Sequence, residues 1–360
     1  MSVIKTPHGY YAFRVYVTDR QGERKQIYRS DPSWTRKKHA EVAQSEFLRN
    51  ANQTAPITLH EVFLLYLEYK KMTVKHSSWY DIESIYNAHI CPTFGEMRID
   101  RITPSNIVTW QRGLLSKLYR GNEYSNAQLS KIQKYLKAMF NWAYLHDFVD
   151  KDPGKAMKPV KRQEMKKTDI TILTPDEFKK FVSVVDDPIY YALYHVLYWC
   201  GLRLGEAMAI TFDDVDFVRG VLNINKTYNF KFREITTPKT KNSYRTVEMP
   251  SMVTKKIKDL MLFYIGRYDY DQSCPLFGVM SYRTMTRRLD DWIELSKGKR
   301  FCHHDLRHSC VSLLASAGFN DFQAAKRMGH DVKMFNETYG HLFETKQKEM
   351  TKAMEKMNKN

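Results

Sequence analysis

The 360-residue sequence predicts a multidomain chain, mainly α with α+β parts: a small β-sheet plus helix, then a helical domain, then a mixed α/β domain. Three observations carry that prediction. Apolar residues alternate near the N-terminus, helix-start signals with helical periodicity fill the middle, and a β pattern interrupts an otherwise helical C-terminal half. The boundaries that follow are 1–53 (three-stranded sheet and helix), 57–150 (helical), 151–168 (linker), 169–343 (mixed) and 344–360 (tail). No period of about 20–50 residues recurs, which excludes a solenoid.

In the first unit, YYAFRVYV sets Tyr11, Phe13, Val15 and Val17 on one face and Ala12, Arg14 and Tyr16 on the other. A turn at 19–22 leads to a second strand from about residue 24 to 28, and Thr35 is expected to cap a helix striped by Ala40, Ala43 and Phe47. So small a sheet buries little alone, and the helix should cover one face. Arg14, Lys25 and Arg29 are expected on the other face, beside the run Arg36, Lys37 and Lys38, and this basic face is expected to contact DNA rather than merely to be solvated.

The helical domain opens on the capping box Thr58 and Glu61, ahead of an apolar stripe of Val62, Leu65 and Tyr69. Thr103 followed by Pro104 starts a helix bearing Ile107, Trp110 and Leu114, and Leu129, Ile132, Leu136 and Phe140 stripe another. These segments make a bundle of four or five helices ending near Asp150. Pro153, Gly154 and Pro159 then break the pattern, giving a linker with seven basic residues against two acidic ones. Lys161, Arg162, Lys166 and Lys167 belong to that run, and a strap lying across phosphates would need such a bias.

A further capping box, Thr174 with Glu177, starts the third domain. Between residues 221 and 249, VLNIN and YRTVEM flank the polar TTPKTKNS, which sets Lys239 at or near a hairpin tip. Helices are expected around 252–264, 282–295, 304–315 and 322–328.

Composition narrows the function. With 57 Lys and Arg against 40 Asp and Glu, the formal charge of +17 favours polyanions, nucleic acid ahead of anionic membrane surface. A hydrophobic share of 43% can fill several cores while the mean hydropathy of -0.54 suits a soluble chain. No apolar run of about 18 residues suggests a membrane span. The N-terminal MSVIKTPHGY carries no secretory pattern, so the cell interior is expected. Five scattered cysteines without a CxxC pair support neither a disulfide framework nor a zinc knuckle.

Chemistry concentrates in the back half. Arg203 lies in CGLRLGE after a long apolar segment and Gly201, with Glu206 one helical turn away. In HDLRH, His304 and Arg307 share a helix face and can reach one anion near the helix N-terminus. His308 adds a third nearby histidine, but no HExxH or Cys/His spacing completes a metal set, so no metal or cofactor is expected. His330 follows in MGH and Tyr339 in NETYGHL. Each residue alone is equally well a core or surface group; the order of the motifs is what carries weight.

GLRLGE, PKTK, HDLRH, GH and the final Tyr, in that order, resemble the tyrosine recombinase family, and the three-domain layout resembles its integrase branch. His303, where a small residue or proline is common, and Met328, in place of leucine before Gly-His, are mild departures that leave the chemistry untouched. The resemblance implies that Tyr339 attacks a DNA phosphodiester while His304 accepts its proton, because an ordinary tyrosine ionises only near about 10. Arg203 and Arg307 would clamp the non-bridging oxygens and His330 would add a donor. Lys239, or Lys241 two residues on, would protonate the leaving 5′ oxygen. The product would be a 3′-phosphotyrosyl bond and a free 5′-hydroxyl, with neither ATP nor a cofactor.

The resemblance further implies double-stranded DNA with arm and core sites as partner, a homotetramer on that DNA, and an excisionase and a DNA-bending host factor as candidate helpers. It implies a cytoplasmic, nucleoid-associated enzyme in a bacterial host, and leaves the lysine-rich, helix-prone tail two readings, a frayed end or a segment that docks on a neighbouring subunit. His341 would be structural. Two alternatives stand beside it: a type IB topoisomerase that relaxes supercoils, against which the N-terminal domain argues, and a DNA-binding protein that has lost catalysis.

Overall fold

The computed structural model describes residues 2–18, 24–51, 57–119, 121–162, 170–238, 241–265, 271, 273–340 and 343, together with 351 and 354. The chain divides into two compact units, Met1–Lys167 and Thr168–Asn360. It is mainly α with small antiparallel sheets, as expected. No helix among the described residues is long and apolar enough to cross a membrane.

The first unit begins with an antiparallel sheet of β1 (Ser2–Lys5), β2 (Tyr11–Thr18) and β3 (Arg24–Ser30), followed by α1 (Lys37–Ala51). Phe13 is buried between Trp34 and Phe47, each ring centroid 5.5 Å away, which fixes the helix on that face. The register corrects one expectation. Lys25 pairs opposite Val17 and Arg29 opposite Phe13, so both belong to the helix-covered face and reach solvent at its rim. The open face instead carries Arg14, Tyr16 and Tyr28. Thr35 does not cap α1: the helix starts two residues later, and the Thr35 N–H still donates to Ser33 O in the preceding turn. The turn expected at 19–22 lies outside the described residues.

The bundle comprises α2 (Leu59–Thr73), α3 (His76–Ile85), a π-helical turn (Tyr86–Ile90) leading into α4 (Cys91–Phe94), α5 (Pro104–Ser116) and α6 (Asn126–Leu145). Thr58 and Glu61 form the expected reciprocal cap, with Thr58 N–H donating to the Glu61 carboxylate at 2.7 Å. The apolar face of α2 is rotated from the expected one. Leu65 and Tyr69 are 46% and 37% exposed, while Leu59, Val62, Phe63 and Tyr66 fill the core. Leu129, Ile132, Leu136 and Phe140 are fully buried. A short hairpin, β4 (Leu118–Tyr119) with β5 (Asn122–Glu123), joins α5 to α6 and carries no strong sequence signal.

Residues 151–162, read as linker, lie against this bundle. Two buried amides hold them: Gln133 exchanges hydrogen bonds with Val160 N and O at 2.9 and 3.0 Å, and Gln111 donates to Lys158 O at 2.8 Å. Asn126 brackets the Arg162 backbone in the same way. Buried amides need such partners, and an extended backbone supplies both donor and acceptor.

In the second unit, α7 (Pro175–Val182) and α8 (Pro188–His195) precede a π-helical turn (Val196–Cys200) and the one-turn α9 (Leu204–Ala207). Strand β6 (Val215–Asp216) joins β7 (Val221–Ile224), while β8 (Thr227–Asn229) and β9 (Glu234–Thr236) form a separate hairpin. Strand β10 (Arg245–Glu248) returns to pair with β7. Thus one expected hairpin is a three-stranded sheet framing a second, inserted hairpin. Helices α10 (Ser251–Ile265), α11 (Tyr282–Ser296), α12 (His303–Ser316), α13 (Asp321–Met328) and α14 (Val332–Tyr339) complete the unit. The segment from Leu193 to Tyr198 is buried on every side, which makes it the central helix of this core.

A smaller apolar cluster of Cys310, Val311, Ala324, Ala325, Met328 and Phe335 seats the Tyr339 ring, which is 2% exposed. Gly201 is the tight point between the two cores. It has φ +67°, and an added Cβ would lie 2.5 Å from Met328 Cε and 3.0 Å from Cys310 Sγ. Gly201→Ala is therefore expected to destabilise the second unit by about 1–3 kcal/mol through left-handed strain and overpacking. Urea unfolding of the two proteins measures it.

Candidate active site

Three arginines converge on one carboxylate and on the C-terminal end of α13. Glu206, 3% exposed, accepts from Arg203 Nη1 at 2.7 Å and from both terminal nitrogens of Arg245 at 3.1 and 2.9 Å. Arg307 Nη1 stands 3.9 Å from the same carboxylate. Successive carbonyls at the end of α13 receive the same side chains: Arg327 O from Arg245 at 2.8 Å, Met328 O from Arg307 at 2.6 Å, and Gly329 O from Arg203 at 3.4 Å. Those carbonyls lack intrahelical partners and form the negative end of the helix dipole, so cations belong there.

Arg307, on α12, is the most buried of the three, with no exposed surface. Its Nη1 donates to Gly201 O at 2.6 Å, which ties the left-handed turn before Arg203 to α12. Its Nη2 also lies 3.0 Å from His330 Nε2. Guanidinium can only donate, so this contact makes Nε2 the acceptor and puts the His330 proton on Nδ1. Both the His330 Nδ1 and the Arg307 Nε are buried and have no hydrogen-bond partner among the described residues. Buried donors left open in this way suit an incoming anion. Three guanidiniums against a single carboxylate give the cluster the same preference.

Tyr339, the last residue of α14, lies with its ring 6.3 Å from that of His330 and nearly parallel to it. Its hydroxyl is 2.6 Å from His308 Nδ1. The partner anticipated from sequence was His304, but α12 presents His304 one turn earlier, edge-on to the His308 ring at 4.6 Å. Helical spacing places both histidines on one face, and only the packing of α14 decides which of them meets the tyrosine.

Burial and charge set the protonation states. Burial pulls His330 down to about 3, helped by the charges of Arg307, Arg203 and Arg245. Crowding around the ring and the neighbouring cations lower His304 to about 4, although part of the residue faces solvent. His308 is lowered too, chiefly by burial. Burial raises the Tyr339 hydroxyl against the opposing pull of Arg307 and Arg203. Arg307 is drawn down to about 9 by burial and by Arg203, still cationic at neutral pH.

Burial alone would raise Glu206, but Arg245, Arg203 and Arg307 hold it at about 2. Its folded pKa lies below the ordinary 4.5, so its stabilising effect is fully present above pH 4.5 and is lost as the pH falls toward 2. The amount is about 3 kcal/mol. Unfolding measured from pH 6 to pH 2 is expected to fall more steeply for the native chain than for Glu206→Gln.

The structure thus brings Arg203, Arg307, His330 and Tyr339 into one cluster, with His304 beside it. Lys239 lies outside the described residues, as does His341. Arg245 was missed in the site. Its signal was available: on β10 it shares a face with buried Val247, and an arginine on an inward face needs a carboxylate. Among the proposed DNA contacts, Arg14, Lys25, Arg36 and Lys161 are exposed, and Lys37 pairs with Glu41 at 3.5 Å. Arg162 is different: its guanidinium is taken by Glu123 and by Leu115 O, so its charge is committed within the bundle. Lys166 and Lys167 lie outside the described residues.

Comparison with known proteins agrees with this layout. The phage integrase family pattern matches residues 171–346, and the phage integrase N-terminal SAM-like domain matches residues 58–115. The chain is similar to the ICEBs1 integrase of Bacillus subtilis, 27% identical over 328 residues that cover 85% of this chain and 84% of that protein. It is also similar to a XerC-like tyrosine recombinase of Caldanaerobacter subterraneus, 27% identical over 71% of this chain and 69% of that one. Among solved structures, the Tn1549 transposon integrase in complex with transposon right end DNA shares the fold. Its TM-score is 0.66 at 20% identity, covering 79% of this chain and 95% of that one. The protein is by class a site-specific recombinase. The chain belongs to the tyrosine recombinase family.

Proposed function

We propose that this recombinase integrates and excises a mobile element by cutting and rejoining duplex DNA through a 3′-phosphotyrosyl bond on Tyr339. The observation that carries the proposal is a tyrosine whose ring lies 6.3 Å from that of His330, beside a cluster of guanidiniums that retains open buried donors. As the Tyr339 oxygen bonds to phosphorus, the bond to the 5′ oxygen breaks. Charge then grows on the non-bridging oxygens, where Arg203, Arg307 and the Nδ1–H of His330 act as preorganised donors. Glu206 and Arg245 hold those arginines so that little reorganisation accompanies the step. Lys239, with Lys241 as the alternative, gives its proton to the leaving 5′ oxygen. The phosphotyrosyl bond conserves the phosphodiester energy, so a partner strand's 5′-hydroxyl can reverse the step.

In this reading, residues 1–53 bind arm sites through the open sheet face around Arg14, Tyr16 and Tyr28. Residues 57–150 bind core sites, and residues 169–343 carry the chemistry. Lys25, Arg36, Lys37 and Lys161 follow the phosphates. The working assembly is a homotetramer on double-stranded DNA in the bacterial cytoplasm, at the nucleoid, with an excisionase and a DNA-bending protein controlling direction. The topoisomerase alternative has no support among the relatives. Two plasmid-borne attachment sites provide the test. The proposal expects recombinant products that depend on both sites, whereas relaxation of a plasmid carrying neither site would favour the alternative.

A further inference from the structure

We propose that Tyr282 is a positioning residue for strand cleavage: its ring braces the β8–β9 hairpin and, through it, the lysine that protonates the leaving 5′ oxygen. The inference rests on the strand-transfer reading and on its assignment of that proton to Lys239 or Lys241. A ribbon of two three-residue strands cannot hold its own place, so its neighbours must. A neighbour stands at each stage of the hairpin.

At the root, Lys226 is paired with the buried Asp214 at 2.7 Å and donates to Thr211 Oγ1 at 3.1 Å. Along β8, Tyr228 is buried and its carbonyl passes close to α9, where a Cβ added at Gly205 would lie 2.8 Å from Tyr228 O. At the tip, the Phe230 ring makes T-shaped contacts with Tyr228 at 5.1 Å and with Tyr282 at 5.6 Å. Tyr282 in turn meets the ring of His303 at 6.2 Å, and His303, 4% exposed, is the first residue of α12. The brace therefore runs from the hairpin to the helix that carries His304 and Arg307.

Tyr282 suits this part because it is itself held. It opens α11, which is capped by Ser281 accepting from Thr284 N at 3.1 Å and which buries Met285 and Leu289 in its next turns. The side chain is nevertheless 51% exposed, so its loss empties no core. Beyond β9, Thr237 and the buried Pro238 lead in sequence directly to Lys239. In cleavage the bond from phosphorus to the 5′ oxygen breaks, and that oxygen keeps the electron pair. It takes a proton from the lysine ammonium, which is left neutral. Such a transfer depends steeply on placement, and a displacement of about 1 Å can cost about 10²-fold. The arginine cluster is anchored elsewhere, on Glu206 and the end of α13, and is expected to survive loss of the Tyr282 ring.

The test is single-turnover cleavage by the full chain at saturating DNA, on two nicked suicide duplexes. One is natural; the other carries sulfur in place of the bridging 5′ oxygen at the cut. An ordinary thiol ionises near about 8.5, so the sulfur leaves without a donated proton. Tyr282→Ala is expected to cleave the natural duplex about 10–10²-fold more slowly than the native protein, and the sulfur duplex within about threefold of it. Tyr282→Phe, which keeps the ring, should restore the natural rate. Phe230→Ala should reproduce the pattern from the other side of the contact, and the double variant should be little worse than either single one. Equal slowing of Tyr282→Ala on both duplexes overturns the proposal, because it places the loss in the fold or the phosphate clamp. The native rate on the natural duplex overturns it too. Should Tyr282→Ala unfold, Phe230→Ala on the same two duplexes decides. Lys239→Ala and Lys241→Ala tell the two failures apart: if sulfur rescues neither, the proton-donor reading falls, whereas rescue of one of them without rescue of Tyr282→Ala rejects the brace alone.

Discussion

Tyr339→Phe is expected to lower covalent capture of a nicked duplex by at least about 10⁴-fold, the scale seen when an enzyme loses its nucleophile. Duplex affinity should change little, because the lost oxygen is buried against His308 and does not face solvent. The fold should also survive. Phenylalanine keeps the ring in the cluster of Phe335, Met328 and Val311, and the loss is one hydrogen bond worth about 1 kcal/mol. Gel-shift titration, thermal melting and adduct formation on one preparation separate these effects. A variant that binds, melts near the native temperature and forms no adduct identifies the hydroxyl as the reacting group. Residual capture at the native rate would mean that another side chain attacks.

The second large effect concerns Arg307, where stability and chemistry depend on one side chain. Arg307→Ala removes donors from Gly201 O and Met328 O and leaves Glu206 with two arginine partners. Loss of one partner from a buried ionic network destabilises by about 3–5 kcal/mol. For a unit of this size that lowers the melting temperature by roughly 6–20 °C. Cleavage by the fraction that remains folded should fall by about 10²–10³-fold or more, as when an oxyanion donor is removed. Arg307→Lys separates the two roles. It keeps the charge near Glu206 but loses the planar fork that reaches Gly201, Met328 and His330 together. Melting should then recover more than the cleavage rate does.

Local signals made much of this molecule legible from its sequence. The caps at Thr58, Thr103 and Thr174 mark helix starts because their reciprocal hydrogen bonds span only three residues. The stripe from Leu129 to Phe140 is correct for the same reason: one helix face, one core. Errors arise where a non-local partner decides. Leu65 and Tyr69 have the spacing of a core face, yet α2 buries the face one step away, through Phe63 and Tyr66. Lys25 and Arg29 sit on the helix side of the sheet because strand register sets their face, and their own charge does not.

The linker shows the same limit. Its composition resembles a free strap, but Gln111 and Gln133, distant in sequence, hold residues 158–160. In the candidate site, the motif order found the residues, whereas the pairing of Tyr339 with His308 and of Glu206 with Arg245 came from helix packing and strand return. Neither pairing follows from spacing along the chain.

The central claim is that Tyr339 attacks phosphorus within an arginine cluster anchored on Glu206. Its most direct test traps the native protein on a nicked suicide duplex, digests the adduct and reads the modified peptide by mass spectrometry. The account predicts a 3′-phosphonucleotide on the peptide from α14, at Tyr339, with a free 5′-hydroxyl on the released strand. A linkage to any other residue, or to the 5′ end of the cut, would contradict it.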